Sequence, residues 1–472
     1  MRICMILEGS YPYVRGGVSS WMHDYILALP QHEFILWTIG AAEKDKGSFK
    51  YELPQNVIEV HEVFLDTSLK HRIKKNNAFR LSAKEKEMME ALLESGDPDY
   101  DILFEYFQRN TKNPAAFFIS LQFTELIKEL SDRKYPFLPF SDLFHAMRSM
   151  FLPVIYLMTC PVPTADVYHA AASGYSGVLG ALASWSQKKP FILTEHGIYT
   201  REREEEILRS DWISPEFKKM WIQLFYMFSR CAYKKAVTVT SLFERAMFTQ
   251  QDIGCPSEKC IVINNGIHYN SFYNIPVKEP DGWVDIGAII RFAPIKDIKT
   301  LIYAFSSLKV SVPKSRLHIL GGTDDEEYYQ ECLLLIDQTG VPDIWIAGST
   351  DVQVYLQKLD FTVLTSISEG QPLAIIESLA AARPVVCTDV GCCRELVEGK
   401  SGQDHFGDAG LCCAPMDYPA ISKAMERLCV DSELRKEMGF AGRQRVLHVY
   451  SHKKMVEAYL NAYERMVQQW PA

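Results

Sequence analysis

No uninterrupted apolar run in the 472 residues approaches the roughly 20 needed to span a bilayer. The amino-terminal MRICMILEGSYP carries one arginine and a short apolar run but no small-residue cleavage site, so it reads as a first strand and not a signal peptide. Positive charge is in deficit, with 50 Lys and Arg against 59 Asp and Glu and a net charge of −9, which argues against a general nucleic-acid binder. The 12 cysteines include no C-x2-C pair repeated at zinc spacing. Cys392-Cys393 and Cys412-Cys413 are adjacent pairs, and Cys4, Cys160 and Cys387 sit in apolar runs where a thiol behaves as a small hydrophobe. They read as reduced thiols of a cytoplasmic protein, and no metal site is expected. What remains is an ordinary globular composition, 47% hydrophobic and 23% charged, on a chain too long for one core.

The densest chemistry lies in residues 361–398. Residues 361–364 form a short apolar run that reads as a buried strand, followed by a small polar loop around Glu369-Gly370-Gln371. Pro372 suits the first helical position, because its φ is preset and its missing N–H would have had no partner there. Residues 373–382, from Leu373, are good helix formers, and Pro384 stops the helix. Glu369 and Glu377 therefore stand eight positions apart around a bare helix start with unpaired N–H groups and a positive dipole end. That suits a ligand with an anionic middle and hydroxyl-bearing flanks: a diphosphate rests on the helix start while the carboxylates accept from sugar hydroxyls.

Upstream, residues 2–7 read as a buried strand that runs through Glu8-Gly9 to a Gly16-Gly17 loop and a helix over 19–29. This is the opening unit of a doubly wound α/β domain, its loop on the ligand side. Residues 34–38, 57–60, 166–169, 191–194, 236–240 and 259–263 supply further strands. Between about 66 and 153 the pattern changes to charged runs and Phe- and Leu-rich helical segments, read as an inserted helical subdomain. His169 ends one strand. Glu195 and His196 end the next and lead into TREREEE, where Arg201 and Arg203 could hold an anionic or hydroxyl-rich acceptor. Residues 269–282, with Pro276 and Pro280, read as a linker. Strands then restart at 284–290, 316–320, 344–347, 361–364 and 384–388, and Arg291 and Lys296 follow the first of them. Two cations there suit phosphate oxygens, Arg as a planar fork and Lys as a point charge. The last helix, 452–468, is amphipathic through Met455, Tyr459, Tyr463 and Met466.

The Glu369-x7-Glu377 stretch with its Gly-x-Pro-Leu core, the Arg291/Lys296 pair and His169 four residues before Ser-Gly together resemble the retaining glycosyltransferases of GT-B fold, glycosyltransferase family 4. The resemblance implies two doubly wound Rossmann-like domains facing a cleft: an acceptor-side domain over 1–275 and a nucleotide-sugar domain over 284–450. A helix over 451–472 crosses back. It implies a hexosyltransferase in which Gly16 and Gly17 lie beneath the diphosphate and His169 lies near the reacting carbon. Arg291 and Lys296 neutralise the diphosphate, Glu369 takes the sugar hydroxyls and Glu377 the ribose. The leaving phosphate takes the acceptor's proton, so configuration is retained. No metal or other cofactor is expected, and no D-x-D pair sits at a suitable strand end. The segment Asn264-Asn265-Gly266-Ile267-His268 matches the family's Asn-Gly-Val-Asp turn except that His268 replaces the Asp. EGSYPYVRGGVSSW, TEHGIYTRERE and the insertion look most like the PelF-type enzymes of Pel exopolysaccharide synthesis in biofilms. That implies a UDP-sugar, a saccharide acceptor, and a cytoplasmic enzyme peripheral to an inner-membrane assembly. The rival readings are a nucleotide-sugar epimerase of related fold and a non-catalytic scaffold.

Overall fold

The computed structural model describes residues 1–70, 80–109, 114–400 and 404–470. The chain forms two compact units, Met1–Val262 with Leu460–Ala472, and Ile263–Tyr459.

The first unit is built on seven parallel strands: β1 Arg2–Glu8, β2 Glu33–Gly40, β3 Val57–Phe64, β4 Val167–Ala170, β5 Phe191–Glu195, β6 Thr238–Ser241 and β7 Cys260–Val262, in the order β3-β2-β1-β4-β5-β6-β7. Residues 3–7 of β1 and all of β4 and β5 are buried, as expected for strands covered on both faces. The winding reverses between β1 and β4, so the loops leaving those strands diverge and open a crevice at their carboxyl ends.

The helical region between β3 and β4 is not a separate subdomain. Met89, Phe104, Phe117, Phe123 and Phe151 from its helices share one continuous core with Cys4, Ile6, Trp37 and Leu193 of the sheet. These helices are a layer of the unit, part of the crossover that takes the chain from β3 to β4. They also run past the expected end at residue 153: Pro153 lies inside the helix Phe140–Met158. A proline there forfeits a backbone bond, and the burial of Val154, Ile155, Leu157 and Met158 beyond it offsets the loss.

The second unit repeats the plan with six parallel strands: β8 Val284–Ile289, β9 Ser315–Leu320, β10 Ile344–Gly348, β11 Phe361–Leu364, β12 Val385–Thr388 and β13 Gly410–Cys413, in the order β10-β9-β8-β11-β12-β13. Its switch point falls between β8 and β11. The unit begins earlier than the linker expected at 269–282. Ile267 bridges Ser451, and Gly266 is packed so closely that an added Cβ would lie 2.4 Å from the Ser451 carbonyl oxygen. Conversely, the helix His452–Gln469 leaves this unit at Leu460, and its last turns belong to the first unit. Met455, Tyr459, Tyr463 and Met466 are all buried, as the amphipathic pattern required.

At the amino end of the second sheet Asp285 is buried beneath three cationic or ionisable donors. Its carboxylate accepts from Arg316 Nε at 2.5 Å and Nη2 at 2.6 Å and from His318 Nε2 at 2.8 Å, and it pairs with Lys278 Nζ at 2.5 Å. Burial would raise the carboxyl, but the bonds from His318, Arg316 and Lys278 outweigh it and hold the group well below the usual carboxylate range. A depressed carboxylate contributes stability that is present above the unfolded pKa and lost as pH falls toward the folded one. Asp285→Ala should cost about 3 kcal/mol by stranding those donors, read as a lower urea midpoint at neutral pH. The gap between variant and parent should narrow as pH is lowered below about 4.

Candidate active site

The loops that follow β8 and β11 meet at the switch point of the second sheet. Ile367 N–H donates to the Ile295 carbonyl at 2.8 Å, and the Thr365 hydroxyl donates to the Lys296 and Asp297 carbonyls at 3.2 and 3.1 Å. The two loops are thus tied through backbone before any charge is considered. Lys296 then reaches across to Glu369, Nζ to Oε1 at 2.5 Å, and the Ser366 hydroxyl donates to the same oxygen at 2.6 Å. Both side chains are largely enclosed, with 18% of Lys296 and 11% of Glu369 exposed.

The rest of the Glu369 loop is held from the other side. Gly391, at φ +54°, lies against the Glu369 and Gly370 carbonyls so closely that a Cβ would sit 2.2 and 2.3 Å from their oxygens. Only glycine fits that approach. Cys392 N–H donates to the Gly370 carbonyl at 3.1 Å, and the Asn265 N–H donates to Gln371 Oε1 at 2.6 Å. Gln371 Nε2 and Asn265 Oδ1 are enclosed without protein partners.

The helix Leu373–Ala380 starts one residue later than expected, with Pro372 at the N-cap position, and no side chain caps it. Its first N–H groups are therefore available to an anion. Glu377 lies half-buried on this helix, and burial pushes its carboxyl up to about 7. Lys296, Glu369, Gly370, Gln371, Pro372, Leu373 and Glu377 accordingly occupy one loop-and-helix element and the lysine docked on it. Arg291 does not join that pair. Its guanidinium is 63% exposed and reaches Asp324 at 2.5 Å, an exposed pairing that is weak and easily exchanged.

The remaining predicted residues lie in the first unit. Gly16 and Gly17 are exposed at the start of the helix Gly17–Leu27, with open space where a Cβ would stand. His169 is fully buried, and both ring nitrogens are engaged, Nδ1 with the Tyr463 hydroxyl at 2.6 Å and Nε2 with the Thr194 hydroxyl at 2.8 Å. Burial, and secondarily His196, pushes it down to about 3, so it is neutral at physiological pH. Glu195 is 2% exposed and saturated by Ser173, Tyr233 and Gln250 at 2.6, 2.7 and 2.9 Å. In this conformation neither offers a free atom to a ligand. His196, held down at about 4 by burial, keeps an enclosed Nε2 without a partner, and Arg201 is exposed. Sequence reasoning gave no role to Ser366, which lies inside the 361–398 stretch, and read Asn265 only as part of a turn; their bonds to Glu369 and Gln371 depend on how the loops pack. Among the described residues no group of three or more His, Cys, Asp or Glu side chains converges as a metal-ligand set.

Two parallel sheets of this order are those of a two-domain α/β protein of GT-B fold. Solved structures of that class align along the whole chain. Sucrose-phosphate synthase from Thermosynechococcus elongatus matches with TM-score 0.62 at 16% identity, covering 98% of this chain and 99% of that one. HepE from Anabaena, solved in complex with UDP, matches with TM-score 0.62 at 14% identity, covering 98% and 100%. The chain belongs to the family of the domain of unknown function DUF3492, matched over residues 1–258. Residues 277–445 match the glycosyl transferases group 1 domain, which makes the chain a glycosyltransferase. Among curated relatives, the MMP alpha-(1->4)-mannosyltransferase of Mycolicibacterium hassiacum is 22% identical over 289 residues, 59% of this chain and 66% of the relative, just under two thirds of its length. The glycosyl transferases group 1 match favours transfer over the epimerase reading.

The raised Glu377 carboxyl gives this site a pH signature. A carboxyl held above its unfolded value stabilises the fold fully below that value and loses its contribution as pH rises through the folded pKa. The ligand-free protein should therefore lose part of its thermal stability between about pH 5 and 8, and Glu377→Gln should flatten that slope, as differential scanning calorimetry across the range would show.

Proposed function

We propose that the protein is a retaining glycosyltransferase that moves a sugar from a UDP-linked donor to a saccharide acceptor. The observation that carries this reading is the enclosed Lys296–Glu369 pair beside an uncapped helix start. The pyrophosphate rests on the first N–H groups of the Leu373–Ala380 helix and draws on Lys296, with Arg291 swinging from Asp324 to join it. Glu369 holds the sugar hydroxyls and Glu377 the ribose. As the glycosidic bond breaks, charge gathers on the departing phosphate, which the fixed lysine stabilises more in the transition state than in the ground state. The acceptor hydroxyl attacks the face the phosphate leaves and gives its proton to a phosphate oxygen, so configuration is retained. His169 supports this chemistry through packing, its imidazole fixed between Tyr463 and Thr194.

UDP as the donor nucleotide is supported by HepE, a fold neighbour whose structures hold UDP and UDP-glucose. Placement in Pel-like exopolysaccharide synthesis, beside an inner-membrane assembly, rests on the sequence likeness of EGSYPYVRGGVSSW and TEHGIYTRERE. Among the described residues no helix is long and apolar enough to cross a membrane. The reaction runs without a metal on this reading, the cations and helix start supplying the counter-charge.

A thermal-shift panel of UDP-, GDP- and ADP-sugars should select a UDP-sugar, and proton NMR of the product should show the donor's anomeric configuration. Lys296→Ala and Glu369→Ala should each lower turnover by about two to three orders of magnitude in protein that still folds but unfolds at a lower midpoint, because each strands its enclosed partner, and EDTA should leave turnover unchanged. Parental turnover in either variant would remove those roles.

A further inference from the structure

The adjacent thiols of the sequence, Cys392-Cys393 and Cys412-Cys413, have no side-chain role in the site described above, yet the fold brings one from each pair to a third thiol. β12 and β13 run parallel with Cys387 in register beside Cys412. Two such neighbours share one face of the sheet, their Cα atoms about 4.8 Å apart. That separation lies inside the range a disulfide spans without backbone movement. The Cys387 thiol is hydrogen-bonded to the thiols of both Cys393 and Cys412, and it reaches the Cys393 carbonyl at 3.9 Å. All 12 cysteines are unbridged.

The three thiols differ in access. Cys387 and Cys393 are buried, whereas Cys412 is half-buried on β13, the edge strand of the sheet. They differ in charge as well. The bond from Cys387, aided by the Arg394 guanidinium, holds Cys412 below the usual thiol range against burial and the carboxylates of Asp389 and Glu398. Its bonds to Cys393 and Cys412, together with burial, hold Cys387 well above that range. A solvent-reached sulfur with thiolate character, beside a buried thiol that keeps its proton, suits an attacking and a resolving cysteine. The chain that follows Cys387 leads directly to the Glu369 loop. The Thr388 hydroxyl donates to the Ser366 carbonyl at 2.6 Å, and Gly391 and the Cys392 N–H clamp the Glu369 and Gly370 carbonyls. The contact of Cys387 with Cys393 anchors that clamp to β12.

We infer that Cys412 and Cys387 are a peroxide-reactive thiol pair whose oxidation to a disulfide loosens the Glu369 loop. The Cys412 thiolate attacks a peroxide oxygen; an S–O bond forms as the O–O bond breaks, and the departing hydroxide takes a proton from solvent to leave as water. The Cys387 sulfur then attacks the Cys412 sulfenic sulfur, and its proton leaves with the sulfenic hydroxyl as a second water. The two sulfurs lose two electrons and the peroxide gains them. Cys387 then has no proton to donate to Cys393, so the clamp loses its anchor. Control of donor binding by this route rests on the glycosyltransferase reading; the oxidation and the loop's response do not.

The whole protein is treated with hydrogen peroxide, blocked with iodoacetamide and mapped by fragmentation mass spectrometry, with hydrogen exchange over residues 366–373 followed in parallel. The parent should yield a Cys387–Cys412 cross-link, and exchange in the loop should quicken about threefold or more, both reversed by dithiothreitol. Cys412→Ser should show neither change, and Cys387→Ala should leave a sulfenic acid on Cys412 that dimedone traps. Should either variant fail to fold, the parent's map decides. Absence of the Cys387–Cys412 bond in oxidised parent, including a bond confined to Cys255 and Cys260, whose sulfurs lie 3.3 Å apart, overturns the pair. The bond with unchanged loop exchange overturns the coupling. Oxidation should also weaken the thermal shift given by UDP in the parent and not in Cys412→Ser. A reduced parent with no UDP shift counts against the donor reading and leaves the thiol pair standing.

Discussion

The contact between Lys296 and Glu369 is the constraint on which the second unit's site depends. It exists because the strand order places β8 and β11 side by side, so that the loops leaving their carboxyl ends meet. The backbone ties from Thr365 and Ile367 bring the lysine's loop against the glutamate's, and the Gly391 approach prevents the glutamate's loop from backing away. An enclosed ion pair of this kind is weak evidence for stability, since desolvating two charges opposes their attraction. Its value here is readiness. A lone enclosed lysine would be desolvated without compensation, and a lone glutamate would repel a pyrophosphate. Paired, each holds the other in place until a ligand supplies both a phosphate and hydroxyls.

The two units share one plan and differ in the sign of what they present. At the β8/β11 switch point a cation is offered beside a helix start, which suits an anion. At the β1/β4 switch point the strand ends in a carboxylate already resting on a helix start, Glu8 on the first turn of Tyr175–Gln187, so the position that would take a phosphate is filled from within. The duplicated winding therefore does not duplicate the ligand. This division follows from Glu8 at the end of β1 and Lys296 in the loop after β8.

The strands were legible because a parallel sheet covered on both faces writes itself as short continuous apolar runs, and residues 361–364 match β11 to the residue. β13 was not: Gly410-Leu411-Cys412-Cys413 is brief, begins with glycine and stays half-exposed, so its pairing with β12 comes from tertiary context. The Glu369 to Glu377 spacing and the position of Lys296 were legible because they are local. The pairings were not. A five-residue interval between Arg291 and Lys296 does not say that one turns to Asp324 and the other to Glu369. His169 and Glu195 were found at the ligand end of their strands, yet whether a side chain points out of a sheet's end or back into its packing depends on partners 294 and 38 residues away, Tyr463 and Tyr233. That residues before the expected linker pack with the second unit was not legible for the same reason, because Gly266 is committed to Ser451.

One asymmetry connects these findings. At the amino end of the second sheet the buried carboxylate of Asp285 has more donors than it needs, and nothing there asks for a ligand. Several enclosed polar atoms without partners lie instead on segments that leave the carboxyl ends of strands: His196 Nε2 and Arg203 Nε after β5, Asn265 Oδ1 after β7, Asp297 Oδ2 after β8 and Gln371 Nε2 after β11. Each such atom costs on the order of 1–3 kcal/mol of desolvation that packing elsewhere must offset. Thr362 Oγ1, inside β11, is an exception, so the bias is not absolute. Folding alone would favour distributing that cost or removing it by apolar substitution. The atoms after β5, β8 and β11 stand at the end of each sheet where a doubly wound fold binds ligands, which marks them as open to completion by a ligand.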